Sequence, residues 1–115
     1  MPGVQIQSWH EAEAWNELVL GEPDAAIYHR YEWRRVFEQT LHLPTLYLAA
    51  QRDGVLEGVL PLVRMRVLTG EKMLISLPFV NYAGICARSE EARRALFEQA
   101  ATAARDEGCQ WIELR

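Results

Sequence analysis

Cysteine, lysine and long apolar runs are all scarce in this sequence, and each scarcity excludes a class of protein. The chain has two cysteines, Cys86 and Cys109, whose spacing fits no zinc or redox motif, and neither has a histidine at ligand spacing. We therefore predict no metal site. We expect both cysteines to be small buried thiols in a reducing compartment.

No segment approaches the roughly 20 consecutive apolar residues that a membrane helix needs. The segment from Met1 to Gln7 also lacks a basic region followed by a long apolar run, so it does not resemble a secretory signal peptide. The cytoplasm is therefore the expected location.

An excess of positive charge is absent as well. The formal net charge is −4, and the basic residues, eleven arginines and Lys72, are scattered and mostly lie beside acids. Because a DNA-binding surface needs a basic face to neutralise phosphates, direct DNA binding is not expected.

Apolar surface, by contrast, is plentiful: half of the 115 residues are apolar, which is enough for one core and one domain over residues 1–115. An alternating segment from Val4 to Gln7 predicts a first strand. Ser8 followed by Glu11 matches a capping box and predicts the start of a helix. The inner face of that helix would carry Ala12, Trp15, Leu18 and Val19.

A second helix is predicted from about Tyr31 to Leu41, where five side chains recur at helical spacing along one face: Trp33, Val36, Phe37, Thr40 and Leu41. A strand from Thr45 to Arg52 follows. Asp53-Gly54 is a strong hairpin signal that leads into a returning strand from Val55 to Val67.

Pro61 lies inside that returning strand, and since proline donates no ladder hydrogen bond, a bulge, bend or unpaired edge is expected there. A third strand of the meander is predicted from Lys72 to Leu77, and a loop from Pro78 to Arg88. Ser89 is expected to cap a long helix that packs through Ala92, Leu96, Ala100 and Ala103 and ends at Gly108.

A last strand of buried type is predicted from Gln110 to Leu114. The element order is therefore β-α-α-β-β-β-α-β, a mixed α/β (α+β) fold. Its sheet would combine an antiparallel meander with one parallel crossover that brings the last strand beside the third meander strand.

This order matches the first two thirds of the GNAT acyltransferase fold. Four segments, in order, resemble the N-terminal region of FemAB-like proteins of the GNAT superfamily: Tyr28–Trp33, Gly58–Leu62, Ser76–Gly84 and Gly108–Arg115. That family includes peptidoglycan-bridge aminoacyltransferases and relatives associated with exopolysaccharide and protein-sorting systems.

The resemblance implies two GNAT-like domains in tandem. On that basis we expect this chain to be one incomplete domain that lacks the C-terminal part of the fold, is inactive alone and pairs with a missing second half. An exposed last strand would also favour self-association. The resemblance further implies an acyl donor such as aminoacyl-tRNA and an amine acceptor on a cell-envelope precursor.

The loop before the long helix is the first candidate for substrate binding, because a phosphate-binding loop occupies this position in the GNAT fold. Gly84 is its only glycine, and the Gly-x-Gly pattern of acetyl-CoA enzymes is absent, so no cofactor is predicted and acetyl-CoA is not expected. Phe79, Asn81, Tyr82 and Gly84 could instead shape a groove for a polar substrate. Alternatively, Pro78-Phe79 fills the core and Asn81 caps a turn.

His29 and Glu113 are the candidate catalytic residues. His29 lies among aromatic residues and would act as a general base if it faced a cleft, whereas the alternative places it at the surface beside packed rings. Glu113 lies on the last strand, where a carboxylate can activate an amine, and Arg115 is its expected partner.

Three functions remain open from the sequence. The first is a FemAB-like acyl or aminoacyl transferase that acts mainly by positioning donor and acceptor. The second is a noncatalytic domain that binds a partner or scaffolds an assembly. The third, least favoured, is an acetyl-CoA-dependent N-acetyltransferase.

Overall fold

The computed structural model describes residues 3–23, 25–76 and 84–115. Its strands are β1 (Gln5–Ser8), β2 (Thr45–Arg52), β3 (Val55–Arg66), β4 (Lys72–Ile75), β5 (Cys86–Ala87) and β6 (Cys109–Glu113). Its helices are α1 (Ala12–Gly21), α2 (Trp33–Arg35) and α3 (Glu90–Asp106). A 3₁₀ turn (Ile27–His29) precedes α2, and a π-helical turn (Val36–Thr40) continues it.

The strands form one mixed sheet in the order β1-β2-β3-β4-β6, with β5 paired to β3 as well. Neighbouring strands are antiparallel except β4 and β6, which are parallel and are connected through α3. This confirms the predicted antiparallel meander and the single parallel crossover.

Side chains alternate between the two faces of the sheet, so the protein has two apolar cores. On β2, Tyr47 faces a core that includes Trp15 of α1, whereas the adjacent Leu48 faces a core that includes Leu96 of α3. The sheet is therefore a middle layer, with α1 and α2 on one face and α3 on the other.

The β2–β3 hairpin confirms its turn signal. Asp53 and Gly54 have φ angles of 52° and 82°, the left-handed conformations that a tight type I′ turn needs. The register shifts beside Ala50, where Gly58 and Leu56 face successive residues of β2 and leave Glu57 as the extra residue of a bulge.

Pro61 pairs with Tyr47 of β2. On the other edge of β3, β5 pairs at Gly58 and Val59 and β4 pairs from Val63 onward, so within the described residues no strand partner faces Pro61 there. Proline is therefore tolerated where β3 changes partners, in agreement with the predicted unpaired edge.

The short β5 strand pairs with β3 at Gly58 and Val59. It was not predicted from the sequence, which placed it in a loop.

The starts of the first two helices differ from the sequence prediction. Ser8 belongs to β1, and Glu11 is the N-cap of α1, accepting a hydrogen bond from the Ala14 amide at 3.3 Å. The second helix is one α-turn followed by a π-turn instead of a continuous helix. Of its predicted inner stripe only Phe37 is fully buried, because the π-turn changes the helical spacing.

Helix α3 agrees closely with its prediction. Ser89 is its N-cap, and Gly108 follows its end with φ of 74°. Its buried face contains Ala104, whereas the predicted Ala103 is only partly buried. Strand β6 is less buried than predicted: it lies at an edge of the described sheet, and Trp111 is 40% exposed.

No helix in residues 3–23, 25–76 and 84–115 is both long and apolar enough to cross a membrane. In the same ranges, no group of three histidine, cysteine, aspartate or glutamate side chains is arranged to hold a metal ion.

Candidate functional site

Strands β4 and β6 stop pairing in the regular way at Ser76. The Ser76 amide donates to the Glu113 carbonyl at 2.9 Å, as a parallel ladder requires. The next bond of a parallel ladder would run from the Arg115 amide on the β6 side to a main-chain carbonyl. The Arg115 amide donates instead to the Ser76 hydroxyl, at 2.6 Å. We call this region, formed by Ser76, Gly84, Glu113 and Arg115, the β4–β6 junction.

Gly84 lies directly against the main chain of Arg115. A Cβ atom built on Gly84 would approach the Arg115 carbonyl carbon to 3.2 Å and its amide nitrogen to 3.6 Å. This contact is tight, so a larger residue would require the Arg115 main chain to shift by a few tenths of an ångström. Close approach, and not an unusual φ angle, therefore favours glycine here. The other predicted substrate-binding residues, Phe79, Asn81 and Tyr82, lie outside the described residues.

His29 is buried, with 2% of its surface exposed, which corrects the expectation of a surface position. Its Nδ1 accepts a hydrogen bond from the Ala26 amide at 2.9 Å, so the neutral ring carries its proton on Nε2. Nε2 then donates to the Gly84 carbonyl at 2.9 Å.

Burial lowers the pKa of His29 from its usual value of 6.5, against the opposing effect of the bonds to Gly84 and Ala26. Both ring nitrogens are engaged, so no lone pair of the neutral ring is free to remove a proton from a substrate. The aromatic packing predicted around His29 is present, since the rings of Tyr28 and Trp33 lie 5.3 Å apart.

Glu113 presents an accessible carboxylate at the junction. Its Oε2 lies 2.6 Å from Nη2 of Arg115, the partner suggested by the sequence, and its side chain is 44% exposed. His29 bonds to Gly84, Gly84 lies against the main chain of Arg115, and Arg115 pairs with Glu113. These contacts connect the three candidates in one region at the carboxyl ends of the parallel strands. Sequence reasoning missed Ser76 as part of this region, although a serine ending an apolar strand was a usable signal.

The N-terminus of α3 is poorly suited to phosphate. Ser89 already accepts a hydrogen bond from the Ala92 amide at 3.1 Å, and Glu90 and Glu91 occupy the first turn. The nearby Arg88 is paired with Glu22 at 3.2 Å. Since an anion site needs free amides and a positive field, the described part of this terminus does not fit the pyrophosphate of coenzyme A.

A separate polar cleft of about 700 Å³ lies beside α2 and was not predicted. Arg34 makes several of the hydrogen bonds in this cleft. The Arg34 guanidinium donates to Glu38 and Thr45, each at 3.1 Å, and to the Trp9 carbonyl at 3.0 Å. These bonds join α2 to β2 and to the segment after β1, so Arg34 has a clear structural role.

The fold is that of GNAT acetyltransferases. The chain is similar to a ribosomal-protein-alanine N-acetyltransferase from Brucella melitensis biovar Abortus 2308, with a TM-score of 0.72 and 17% identity, covering 99% of this chain and 80% of that one. A GNAT family acetyltransferase from Staphylococcus aureus subsp. aureus USA300_TCH1516 matches with a TM-score of 0.66 and 11% identity, covering 99% and 87%.

FemX is a further structural neighbour, with a TM-score of 0.66 and 17% identity over 91% of this chain and 25% of the FemX chain. No protein-family model matches the sequence, and no curated protein matches it significantly. The likeness therefore establishes the fold, at identities too low to carry an activity across.

Proposed function

We propose that this protein contributes to the transfer of an acyl group to an amine, with the reacting groups meeting at the β4–β6 junction. The observation that carries the proposal is the end of regular pairing at Ser76, inside a GNAT fold and beside an accessible carboxylate. In mixed sheets, ligands commonly bind beyond the carboxyl ends of parallel strands.

The main contribution of the junction to catalysis would be to position the acyl donor and the amine acceptor. The Glu113 carboxylate accepts hydrogen bonds from an amine and attracts its ammonium form, while Arg115 holds that carboxylate in place at 2.6 Å. Gly84 lies close to the main chain of Arg115, so a larger residue at position 84 would disturb the junction.

For the donor, we propose an aminoacyl or other acyl carrier in preference to acetyl-CoA. The acidic first turn of α3, with its capped Ala92 amide, supports this choice, because it offers little to a pyrophosphate. The likeness to FemX supports a FemAB-like role. By the resemblance of the sequence to that family, we propose a cell-envelope precursor, such as a peptidoglycan or exopolysaccharide intermediate, as the acceptor. A second GNAT-like half would complete such an enzyme.

The experiment is a transfer assay with two donors. The protein, joined to the second GNAT-like half that the proposal requires, is incubated either with tRNA charged with radiolabelled amino acids and a lysine-containing muramyl pentapeptide, or with radiolabelled acetyl-CoA and a panel of amines. We expect label to move only from the charged tRNA, and Glu113→Gln to reduce the rate at least about tenfold. Glu98→Gln, on the exposed face of α3, is the matched control.

Transfer from acetyl-CoA would overturn the choice of donor, and full activity in Glu113→Gln would remove Glu113 from the site. A second candidate function, a noncatalytic partner-binding domain, is favoured by apolar side chains exposed on α3 and β6, where Phe97 is 44% and Trp111 is 40% exposed. Absence of transfer from both donors would support that candidate.

A further inference from the structure

His29 connects two segments that are far apart in the sequence. One ring nitrogen is bonded to the Ala26 amide three residues earlier, and the other is bonded to the Gly84 carbonyl 55 residues later. A buried imidazole with two neutral hydrogen bonds has a fixed orientation, since rotation would leave polar groups unpaired in the interior.

The main chain at His29 is itself held from the core. Trp15 of α1, which is fully buried, donates from Nε1 to the His29 carbonyl at 2.6 Å. The Trp15 ring stacks on Tyr47 of β2, with ring centroids 5.0 Å apart. The imidazole therefore projects from a rigid base formed by a helix and a central strand.

Gly84 connects the fixed His29 ring to the β4–β6 junction. Its main chain is in close contact with Arg115, and Arg115 in turn bonds to the Ser76 hydroxyl and pairs with Glu113. Displacement of Gly84 would therefore release the end of β6 and the carboxylate that the proposed reaction uses.

We propose that His29 is a positioning residue that holds Gly84 against the end of β6 and thereby sets the geometry of the β4–β6 junction. The assignment of a catalytic consequence rests on the proposed function above. The contact between His29 and Gly84, however, has its own readout that needs no activity. His29 acts through Gly84 and touches no reacting atom.

Two conservative variants separate the two bonds of the imidazole. In His29→Asn, the short amide lies near the position of Nδ1 and can accept from Ala26 but does not reach Gly84. In His29→Gln, the longer amide lies near the position of Nε2 and can donate to Gly84. Each variant loses one buried hydrogen bond, so similar losses of thermal stability are expected, which makes the pair a matched comparison.

The test combines amide NMR with the transfer assay. We expect His29→Asn to shift the amide resonances of Gly84 and Arg115 and to lower the transfer rate by about fivefold to tenfold, the effect of one hydrogen bond. His29→Gln should leave those resonances near their original positions and keep the rate within about twofold of the parent protein.

Equal spectra and equal rates in the two variants, whatever their stabilities, would overturn the proposal. Shifted Gly84 and Arg115 resonances with no transfer in the parent protein would support the positioning role while refuting the proposed function. Unchanged resonances in His29→Asn with a fully active parent protein would do the reverse.

Discussion

The chain has three serines, and the structure gives each a different role that alanine substitution should separate by stability. Ser89 caps α3: its hydroxyl accepts from the Ala92 amide at 3.1 Å and donates to Glu57 at 3.0 Å. Ser76 is fully buried and accepts from the Arg115 amide at 2.6 Å. Ser8 is an exposed residue at the end of β1.

Loss of an N-cap costs about 1–2 kcal/mol of unfolding free energy, so Ser89→Ala should fall in that range. Ser76→Ala leaves the Arg115 amide without its partner, and loss of this partly buried hydrogen bond costs about 1–2 kcal/mol. An exposed substitution that removes no bond changes stability by less than about 0.5 kcal/mol, which is our expectation for Ser8→Ala.

Urea unfolding followed by tryptophan fluorescence measures these differences. With a slope of about 1.5 kcal/mol per molar urea, the Ser89 and Ser76 variants should unfold at concentrations lower by about 0.7–1.3 M. Ser8→Ala should coincide with the parent protein. A cost for Ser8→Ala as large as that for Ser89→Ala would show that the first helix starts at Ser8 with a capping box, and would refute the assignment of Glu11 as the cap.

Three further outcomes are expected. Gly58→Ala should destabilise the protein by about 1–3 kcal/mol, because a Cβ at position 58 would approach Leu96 Cδ1 to 2.9 Å. Calorimetry measures this loss. A Tm equal to that of the parent protein would contradict the packing. Tyr47→Phe should be neutral or slightly stabilising in thermal melts, since the buried Tyr47 hydroxyl has no hydrogen-bond partner among the described residues; a loss above about 1 kcal/mol would reveal a missed partner. The unfolding free energy should also fall as the pH drops below 6.5, because burial lowers the pKa of His29 and the unfolded chain then binds more protons than the native state. His29→Gln should flatten this dependence between about pH 6.5 and 5, and an unchanged slope in urea titrations would count against it.

At lower pH, carboxylates dominate the pH dependence of the unfolding free energy. The pH range in which the effect of His29 can be measured therefore has a lower limit. Hydrogen bonds from Arg52 lower the pKa of Glu57 and of Glu91 from 4.5, so these groups stabilise the native state above that value. Their contribution is lost only as the pH falls through their lowered pKa values. The two effects therefore separate along the pH axis.

Features set by neighbouring residues could be predicted from the sequence. The Asp53-Gly54 turn, the Ser89 cap and the Gly108 helix end each depend on the conformation or hydrogen bonds of a few adjacent residues, and each is present. The helix-period pattern at α2 failed because a π-turn places one extra residue in the turn, which a fixed period cannot represent.

The candidate site was predictable as a set of residues but not as an arrangement. Gly84 and Glu113 were recognisable from residue type and position, yet the burial of His29 depends on a contact made 55 residues away. The role of Ser76 depends likewise on the partner that β6 supplies, 39 residues later. Pairings at such separations carry no local signal, because any of several polar groups could have satisfied each donor.

The pairing of β1 has a consequence for the order of events during synthesis. Gln5 pairs with Gln51 and Ser8 pairs with Leu48, so about 40 residues must follow β1 before its partner exists. At about 5–20 residues per second, the ribosome needs some 2–8 s to supply them. Over that time β1 has an open edge, and its sequence of two glutamines, one isoleucine and one serine offers a passing chain little apolar surface to adhere to.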